Sequence, residues 1–545
     1  MKKISTILCC LFVALLAFNL QAQENRFLTE VFDEVTVTEN VQYGLNATVI
    51  TLPVTGDAAA QPLLMDVYEP VGDALAERPV VMVYHTGNFL PNVTNGGITG
   101  TKQDSSVVEF CTRLARAGYT AAAVDYRLGW NPLAATQPER ALGLIQAAYR
   151  GVQDGRTCIR YFKKSYAEDG NPYSVDTSRM TVFGLGTGGY LVLGLATLDE
   201  YSEILTTQFG PGKFLFDPGT GTPIPMVIEA YHGDIEGKVL TIAPDGAFGY
   251  PAGDTTNYVN HPNYSSDFQL CANVGGALGD ISWMEAGEPP IITVQSAFDQ
   301  FAPYDDATLI VPTTGDPIVR VQGGLAIAQR QDELGNNQVF IDAGIDDVFT
   351  DAAIANSGTA GQDYYEALYP VTNPVNGSGF DEGVVVDWWD ENDPSPADGA
   401  GMGIPWNMLP HPSGGTFHTQ GLILNEGMSA EKARTNIDTI MGYFYPRAYA
   451  ALDLDEVVRV DNIQPSEVYL TIAPNPVSHQ IMLTSAPETP MRSIRIFDMN
   501  GRVVRSYEGI DADNYFINRG TLPSGTYIIA TEFDEGLASH KVILK

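Results

Sequence analysis

Gly184-Leu185-Gly186-Thr187-Gly188-Gly189 is the stretch of sequence that decides the fold. It follows an apolar run at 180–183, which we predict to be a strand, and precedes a predicted helix at 190–198. A glycine-rich turn of this kind can cradle a phosphate, but this one lacks the lysine of a P-loop. It also lies about a hundred residues beyond the first predicted sheet strand, whereas a dinucleotide-binding turn usually opens its fold. The better match is the sharp strand-to-helix turn Gly-x-Ser-x-Gly, which lifts a nucleophile above a sheet.

Strands and helices alternate on both sides of this turn. Residues 80–84 and 119–124 are short apolar runs typical of buried strands, and 106–117 and 141–152 carry apolar side chains at helical spacing. Further along we predict strands at 268–274, 290–294 and 338–342. We predict helices at 325–334 and from the N-cap Ser429 onward. This order predicts a mostly parallel sheet with helices on both sides.

Several motifs resemble those of carboxylesterases of the α/β-hydrolase superfamily and come in the same order. They are Leu64-Met65-Asp66-Val67-Tyr68-Glu69-Pro70, His85-Thr86-Gly87-Asn88-Phe89, Asp125-Tyr126-Arg127-Leu128-Gly129 and Phe298-Asp299-Gln300-Phe301-Ala302-Pro303-Tyr304. The resemblance covers most of residues 60–450. It implies an α/β-hydrolase fold, a doubly wound and mostly parallel sheet with cap insertions.

The same resemblance implies an oxyanion hole. The family's His-Gly-Gly-Gly motif corresponds to His85 through Asn88, so the backbone N–H groups of Gly87 and Asn88 are expected to point at a developing oxyanion. The residue after the nucleophile supplies a further N–H, and here that residue is Thr187. His85 itself is expected to have a structural role beside the hole.

The acid and the histidine of a catalytic triad also have counterparts. Asp299 stands at the family's acid position. His411 and His418 both lie between the last predicted strand and the final helix, and we prefer His418 because it is closer to the helix. Asp299 would orient this histidine and stabilise its charged form.

The nucleophile position departs from the family pattern, because Gly186 stands where the family has serine. Glycine has no atom that can attack a carbonyl, and the side chain of Thr187 starts from a different place on the turn. A triad acts as a unit, and loss of the nucleophile costs roughly 10⁶-fold in kcat in one hydrolase. Ordinary serine-hydrolase activity is therefore not expected.

Three functions are compatible with this pattern. The first is a secreted or surface protein that binds an ester, lipid or glycan, or a protein partner, without hydrolysing it. The second is an active ester hydrolase that uses water or Thr187 with Asp299 and His418. The third is a structural surface protein in which the old cleft is filled.

Two inserted stretches, near 200–265 and 343–426, follow sheet strands on the side where this fold binds ligands, and we predict that they cover the turn.

Trp388, Trp389 and Trp406 either line a cleft or pack in a core. An acidic loop is a candidate calcium site, but it lacks EF-hand spacing, which favours a solvated loop; its acids are Asp387, Asp390, Glu391, Asp393 and Asp398. No cofactor and no metal site is predicted.

The two ends of the chain resemble targeting segments. Residues 1–22 have two lysines followed by a short apolar run, typical of a secretory signal peptide, and too short to cross a bilayer. Residues 467–545, after a linker at 456–466, carry Ala473-Pro474-Asn475-Pro476 and Leu522-Pro523-Ser524-Gly525, and end in Lys545. They resemble the C-terminal sorting domain of type IX secretion substrates, a small β-sandwich that engages the secretion machinery. The hydrolase-like domain then spans 23–455.

The charge of the chain excludes two classes of binding partner, and its cysteines leave two arrangements open. The chain carries 30 Lys and Arg against 66 Asp and Glu, a net charge of -36, so nucleic acid and anionic membranes are not expected partners. No stretch after the signal peptide is long and apolar enough to span a membrane. Outside that peptide the cysteines are Cys111, Cys158 and Cys271; a Cys111–Cys158 bridge and three buried thiols are both compatible with their positions.

Overall fold

The structure is a computed structural model of the chain, and it describes most residues from 26 onward. The described ranges are 26–92, 94–207, 212–299, 302–311, 314–372, 404–424, 427, 429–458, 464–498, 503–507, 509–520, 522–534 and 536–545. The chain divides into two compact units, one formed by residues 25–454 and one that contains residues 455–545. The predicted signal peptide at 1–22 lies outside the described residues.

An eight-stranded sheet runs through the first unit. Its strands are β1 (Val35–Thr48), β2 (Ala59–Pro70), β3 (Arg78–Tyr84), β4 (Thr120–Val124), β5 (Val175–Leu185), β6 (Leu270–Val274), β7 (Ile291–Ser296) and β8 (Leu368–Val371). Their order is β1-β2-β4-β3-β5-β6-β7-β8. β2 pairs antiparallel with β1 and β4, and every other pair is parallel. The predicted α/β-hydrolase class is confirmed by this order.

Helices cover the sheet, so its central strands are inaccessible to water. The principal helices are α1 (Ser105–Arg116), α2 (Gln137–Glu168), α3 (Thr187–Thr197), α4 (Gly324–Leu334), α5 (Gln338–Ala343), α6 (Val348–Ala360), α7 (Phe417–Leu424) and α8 (Ala430–Ala451). Every residue of β3 and β4 is buried, as expected for parallel strands packed between two helical layers. Short helices lie at Leu52–Thr55, Tyr201–Leu205, Glu229–His232 and Leu454–Val458.

Small antiparallel pairs stand beside the main sheet in the first unit. They join Leu215–Phe216 to Ile224–Pro225, Thr241–Ile242 to Thr255–Asn257, and Asp306–Ile310 to Pro317–Gln322. We call the last pair, residues 306–322, the hairpin.

The second unit contains two small antiparallel sheets around one apolar core, as predicted for a β-sandwich. Its strands are β9 (Thr471–Ala473), β10 (Gln480–Thr484), β11 (Ser493–Asp498), β12 (Val503–Tyr507), β13 (Asn514–Asn518), β14 (Gly525–Phe533) and β15 (Gly536–Leu544). One sheet has the order β9-β10-β13 and the other β12-β11-β14-β15. Strand β13 has a weak apolar alternation, because only Ile517 of its five residues is buried.

Two predictions in the first unit were wrong. Residues 338–342 were predicted as a strand but form helix α5, in which only Phe340 is buried; so short an apolar run does not distinguish the two structures. Part of the second predicted insertion, residues 348–371, consists of helix α6 and the last sheet strand β8. The predicted triad histidines still follow the last strand, since both come after Val371.

The three cysteines that follow residue 22 are buried free thiols. Cys111, Cys158 and Cys271 each lie inside an element of the first unit, and none is bridged. The alternative of a Cys111–Cys158 disulfide is therefore excluded. Burial raises the pKa of each thiol, so these cysteines act as small apolar core side chains.

A buried ion pair joins four parts of the first unit. The side chains of Arg127 and Asp154 are both inaccessible to water, and Arg127 donates to the carboxylate through its backbone N–H at 2.8 Å and through Nε at 2.9 Å. The same guanidinium also donates to the carbonyl oxygen of Ala47 in β1 and to Oε1 of Gln153. The amide of Gln153 in turn donates to the carbonyl oxygens of His232 and Asp234, at 2.8 Å each.

Removing the carboxylate from this pair is expected to destabilise the protein strongly. Asp154→Ala leaves the buried guanidinium of Arg127 without a counter-charge, a change that typically costs about 3–5 kcal/mol. The matched control is Glu333→Ala, which removes the exposed partner of Arg330 and should cost about 1 kcal/mol or less. Urea unfolding of residues 23–545 measures both, and equal losses would contradict the role assigned to the buried pair.

A buried histidine makes the first unit sensitive to acid. The side chain of His232 packs against Phe248 and Tyr250, and the residue is 2% exposed. Burial lowers its pKa to about 4, whereas a histidine in the unfolded chain titrates near about 6.5. Between these pH values the unfolded state binds more protons, so stability falls as the pH falls from about 6.5 towards 4.

The variant His232→Phe should reduce this loss. At pH 4.5 the histidine is expected to lower the free energy of unfolding by about 2–3 kcal/mol relative to pH 7. Phenylalanine fits the same aromatic surroundings and does not titrate. Urea unfolding at the two pH values measures the difference; an equal acid loss in wild type and variant would show that His232 is not responsible.

Candidate functional site

The turn after β5 has the backbone geometry that a nucleophile turn requires. Gly186 has φ 51° and ψ -110° and stands between Leu185, the end of β5, and the first residue of α3. Its N–H donates to the carbonyl oxygen of Val274 at 2.7 Å. A Cβ added at Gly188 would come within 2.2 Å of the carbonyl oxygen of Tyr84, so the turn lies tightly against β3. The sharp turn predicted from the sequence is present.

The space for a side chain at position 186 is already occupied. A Cβ built on Gly186 would lie 2.2 Å from Oγ1 of Thr86 and 2.9 Å from its Cβ. Real Cβ contacts are never this short, so a serine at 186 is incompatible with the present position of Thr86. The threonine hydroxyl thus lies where a side chain at position 186 would begin.

Two N–H groups assigned to the oxyanion hole bind the protein's own hydroxyls. The N–H of Thr187 donates to Oγ1 of Thr86 at 3.2 Å, and the N–H of Asn88 donates to Oγ1 of Thr187 at 2.8 Å. The two hydroxyl oxygens lie 3.4 Å apart. An oxyanion hole works because its donors are aimed at the place where charge develops. Here these two donors have partners before any ligand arrives.

The loop that carries Gly87 and Asn88 is held in a rare conformation. Gly87, Asn88 and Phe89 have φ values of 123°, 56° and 54°. Left-handed conformations of non-glycine residues persist only where neighbouring contacts enforce them. Trp130 Nε1–H donates to the carbonyl oxygen of Asn88 at 2.7 Å, and the N–H of Gly129 donates to that of Phe89 at 2.8 Å. The loop is therefore rigidly positioned over the turn.

His85, which precedes this loop, has the structural role expected of it. Its ring is fully buried and stacks on Tyr126 with centroids 4.4 Å apart and planes at 13°. Nδ1 lies 2.6 Å from the carbonyl oxygen of Thr86. Burial lowers the pKa of His85 to about 4, so the ring is uncharged at neutral pH. It supports the Thr86 backbone.

The remaining predicted triad residues lie on separate segments. Asp299 follows β7, and its Oδ1 accepts from the N–H of Ala302 at 3.1 Å. Burial, and after it the negative charge of Asp299, raise the pKa of Tyr190 in α3. His418 lies in α7, half-buried, and its N–H donates to the carbonyl oxygen of Trp406. The pairing of Asp299 with His418 stays a prediction.

The alternative histidine, His411, and one of the three tryptophans, Trp406, make structural contacts. Nε2 of His411 is 3.1 Å from the carbonyl oxygen of Gly96, and its ring packs edge-on against Phe417. Trp406 is 4% exposed and packs on the same Phe417, so it belongs to a core. Trp388 and Trp389 lie outside the described residues, as does the acidic loop with Asp387, Asp390, Glu391, Asp393 and Asp398.

An apolar cavity of about 140 Å³ borders the turn on the side of Thr187 and Asn88. Helices α2 and α3 form one wall, and the first predicted insertion contributes Ile204, Phe214 and Val227. The hairpin contributes four more aliphatic side chains, Leu309, Val311, Val319 and Val321. Sequence reasoning missed this hairpin, although the spacing of two between these residues is a signal typical of a strand.

The described residues hold no group of three or more His, Cys, Asp or Glu side chains arranged to bind a metal ion. Among the described helices, none has both the length and the apolar character needed to cross a bilayer.

Comparison with known proteins identifies the C-terminal unit. Residues 471–545 match the secretion system C-terminal sorting domain. The predicted sorting tail is thereby confirmed, and it directs the protein by type IX secretion to the cell surface or exterior. No curated protein matches the chain.

Among solved structures, the chain is similar to esterases. Esterase 2 of Thermogutta terrifontis, phosphorylated by paraoxon, is 15% identical over 55% of this chain and 79% of that chain, with a TM-score of 0.29. A truncated carbohydrate esterase from gut microbiota is 14% identical over 55% of this chain and 84% of its own, with a TM-score of 0.28. The strand order described above, and not this likeness, identifies the fold.

A double-mutant cycle tests whether Thr86 fills the side-chain space at 186. Gly186→Ala should destabilise the protein by about 1–3 kcal/mol beyond the backbone strain of a positive φ, because the new methyl overlaps Thr86. The backbone strain at Gly186, with φ 51° and ψ -110°, is common to both arms of the cycle and cancels. Gly335→Ala controls for adding a Cβ at positive φ in open space, since φ is 74° and ψ 14° there and nothing lies within 4 Å of the added Cβ. In Thr86→Gly/Gly186→Ala the overlap is gone, so the two changes should couple favourably by more than about 1 kcal/mol. Additive effects in thermal unfolding would contradict the overlap.

Proposed function

We propose that this chain is an exported ligand-binding protein built on an esterase fold that no longer hydrolyses esters. The observation that carries the proposal is the Thr86 hydroxyl, which lies in the side-chain space of position 186 and accepts the N–H of Thr187. Acyl transfer needs a nucleophile and a hole with free donors. The first is absent at Gly186, and two of the predicted donors are already paired.

Hydrolysis by Thr187 is a weaker alternative on the same geometry. Its hydroxyl oxygen accepts the N–H of Asn88 at 2.8 Å, so one of the oxygen's lone pairs is already engaged. That N–H is one of the donors predicted to bind the oxyanion. An attack by water fares no better, because the tetrahedral oxyanion would have to displace the Thr86 and Thr187 hydroxyls from their donors. Each displaced hydrogen bond adds to the barrier.

A purely structural role is the third alternative, and the cavity beside Thr187 argues against it. A cleft that had lost all function could close, since apolar space costs stability in proportion to its volume. Here a cavity of about 140 Å³ persists beside Thr187 and Asn88. Retention of this space supports ligand binding over a filled structural module.

Ester hydrolysis by residues 23–545 tests the proposal. Wild type should turn over p-nitrophenyl acetate and butyrate no faster than His418→Ala. Gly186→Ser alone should also be silent, because its side chain meets Thr86 at 2.2 Å. Turnover by wild type that His418→Ala abolishes would overturn the proposal and favour an active hydrolase.

Thr86→Gly/Gly186→Ser is the informative partner variant. It restores a serine, clears the space for it and releases the N–H of Thr187. Turnover by this double variant, lost again on adding His418→Ala, would assign the base to His418. Circular dichroism of each variant confirms that a silent protein is folded.

A further inference from the structure

The main sheet of the first unit has an unpaired segment along one edge. β1 stands at one end of the strand order and pairs with β2 along its inner side. The later part of β1 is covered, because Oδ1 of Asn260 accepts the N–H of Leu45 at 3.0 Å. Within the described part of the chain, the outer side of residues 35–39 has no backbone partner. These five residues are therefore an open sheet edge, roughly 17 Å long at about 3.4 Å per residue.

The strand register shows which backbone groups of this open edge face outward. In an antiparallel pair, opposite residues alternate between those that exchange two hydrogen bonds and those that exchange none. The N–H of Val71 donates to the carbonyl oxygen of Glu34 at 2.9 Å. The next residue, Val35, thus belongs to a pair without hydrogen bonds, and so does Val37. The N–H and C=O groups of both valines point away from β2 and are available to another strand.

The side chains of the open edge form one wall of a groove of about 690 Å³, which we call the edge groove. Val35, Val37 and Glu39 alternate along β1 and so share one face of the sheet, and helix α1 contributes a second wall. Val37 is 40% exposed, although valine is typical of covered strands. An exposed edge of this kind is a template for pairing with another chain.

The edge groove carries an excess of negative charge. Three exposed acids line it and form no ion pair within the described residues: Asp33, Glu34 and Glu39. A fourth acid, Asp66, is neutralised by Lys102, whose Nζ lies 2.6 Å from Oδ2. The base in the lining, Arg116, is paired with Glu30 at 3.6 Å. The uncompensated acids attract a basic partner and repel an acidic one.

The edge groove also contains a tyrosine hydroxyl without a partner. Tyr68 lies opposite Val37 in β2, lines the groove and is 5% exposed. Within the described part of the chain its hydroxyl forms no hydrogen bond, and the oxygen stays accessible to solvent. The side chains of lysine and arginine carry donors alone, so this oxygen can accept from either one. The tyrosine ring offers the same cation its π-face.

We propose that the edge groove binds an extended basic segment of a partner protein. The segment adds a strand to β1 through Val35 and Val37, and places a lysine or arginine side chain at Tyr68 among the unpaired acids. Backbone pairing supplies affinity, and the alternating side chains supply specificity. The proposal goes beyond the proposed function, because three strands separate β1 from β5 and the turn at Gly186.

Fluorescence anisotropy with residues 23–545 at pH 7 and about 0.15 M salt tests the proposal. The probe is a fluorescein-labelled heptapeptide that alternates lysine and threonine. One control peptide has glutamate in place of lysine, and the other keeps the side chains but is N-methylated along its backbone. We expect the probe to bind at one site and at least tenfold tighter than either control. Equal binding of the methylated peptide would reduce the effect to charge attraction and overturn the proposal, as would absence of binding.

Two variants at one position test the backbone pairing. Val37→Pro removes an outward N–H, which a strand tolerates at a sheet edge, and should weaken the probe at least tenfold. Val37→Thr keeps the N–H and the branched side chain, so it should bind as wild type does. Thermal unfolding shows whether each variant is folded. Equal affinities of the two folded variants would place the peptide elsewhere and reject the edge.

Three further variants, which leave the backbone of β1 intact, test the charge and the hydroxyl. Glu39→Lys should weaken the probe at least tenfold. Glu333→Lys makes the same change at an exposed position of α4 and should leave binding unchanged. Tyr68→Phe keeps the ring and should weaken the probe about threefold or more. Equal effects of the two glutamate changes, or an unaltered Tyr68→Phe, would contradict the binding mode.

A second copy of this chain is the competing occupant of the edge. Pairing two such edges would bring the acids of both copies together, and like charges on paired strands are unfavourable. We therefore expect sedimentation velocity to show no dimer that Val37→Pro dissociates. Such a dimer would replace the basic partner by self-association. Ester turnover by wild type would reject the proposed function and leave this proposal standing, so the two failures are distinguishable.

Discussion

The buried contact between Arg127 and Asp154 is the interaction on which the architecture of the first unit depends. It joins the end of β4 to α2 and reaches β1 through Ala47. Through Gln153 it also contacts His232, in the segment 200–265 that supplies part of the cavity wall. A charge pair shielded from water is stable only while every hydrogen bond is satisfied, so these elements are held together as a set.

At the turn after β5, two threonine hydroxyls accept backbone N–H groups. Oγ1 of Thr86 accepts the N–H of Thr187, and Oγ1 of Thr187 accepts the N–H of Asn88; the sequence assigns both N–H groups to an oxyanion hole. The backbone of the turn and of the 87–89 loop keeps its unusual dihedral angles even so. The sharp strand-to-helix turn is thus present, and both N–H groups are paired within the protein. An apolar cavity lies beside the turn.

Much of the fold was predictable because its signals are local. The glycine-rich turn, the buried strands β3 and β4 and the N-cap at Ser429 each depend on residues close in sequence. Helix α5 was mistaken for a strand because three apolar residues at 339–341 fit either period. The predicted second insertion, 343–426, wrongly includes the sheet strand β8, because that strand has only four residues. Such short elements are decided by their neighbours across the sheet.

The sequence by itself determined that the expected serine is absent at Gly186, that the chain carries a sorting domain, and that the middle is an α/β unit. These follow from residue identity and local periodicity, which need no third dimension. Only the tertiary structure decided that Thr86 fills the space at Gly186 and that the Thr187 hydroxyl accepts the N–H of Asn88. It also decided that a cavity lies beside them. Those contacts join residues about a hundred positions apart, and their distances are set by how β3 and β5 pack side by side.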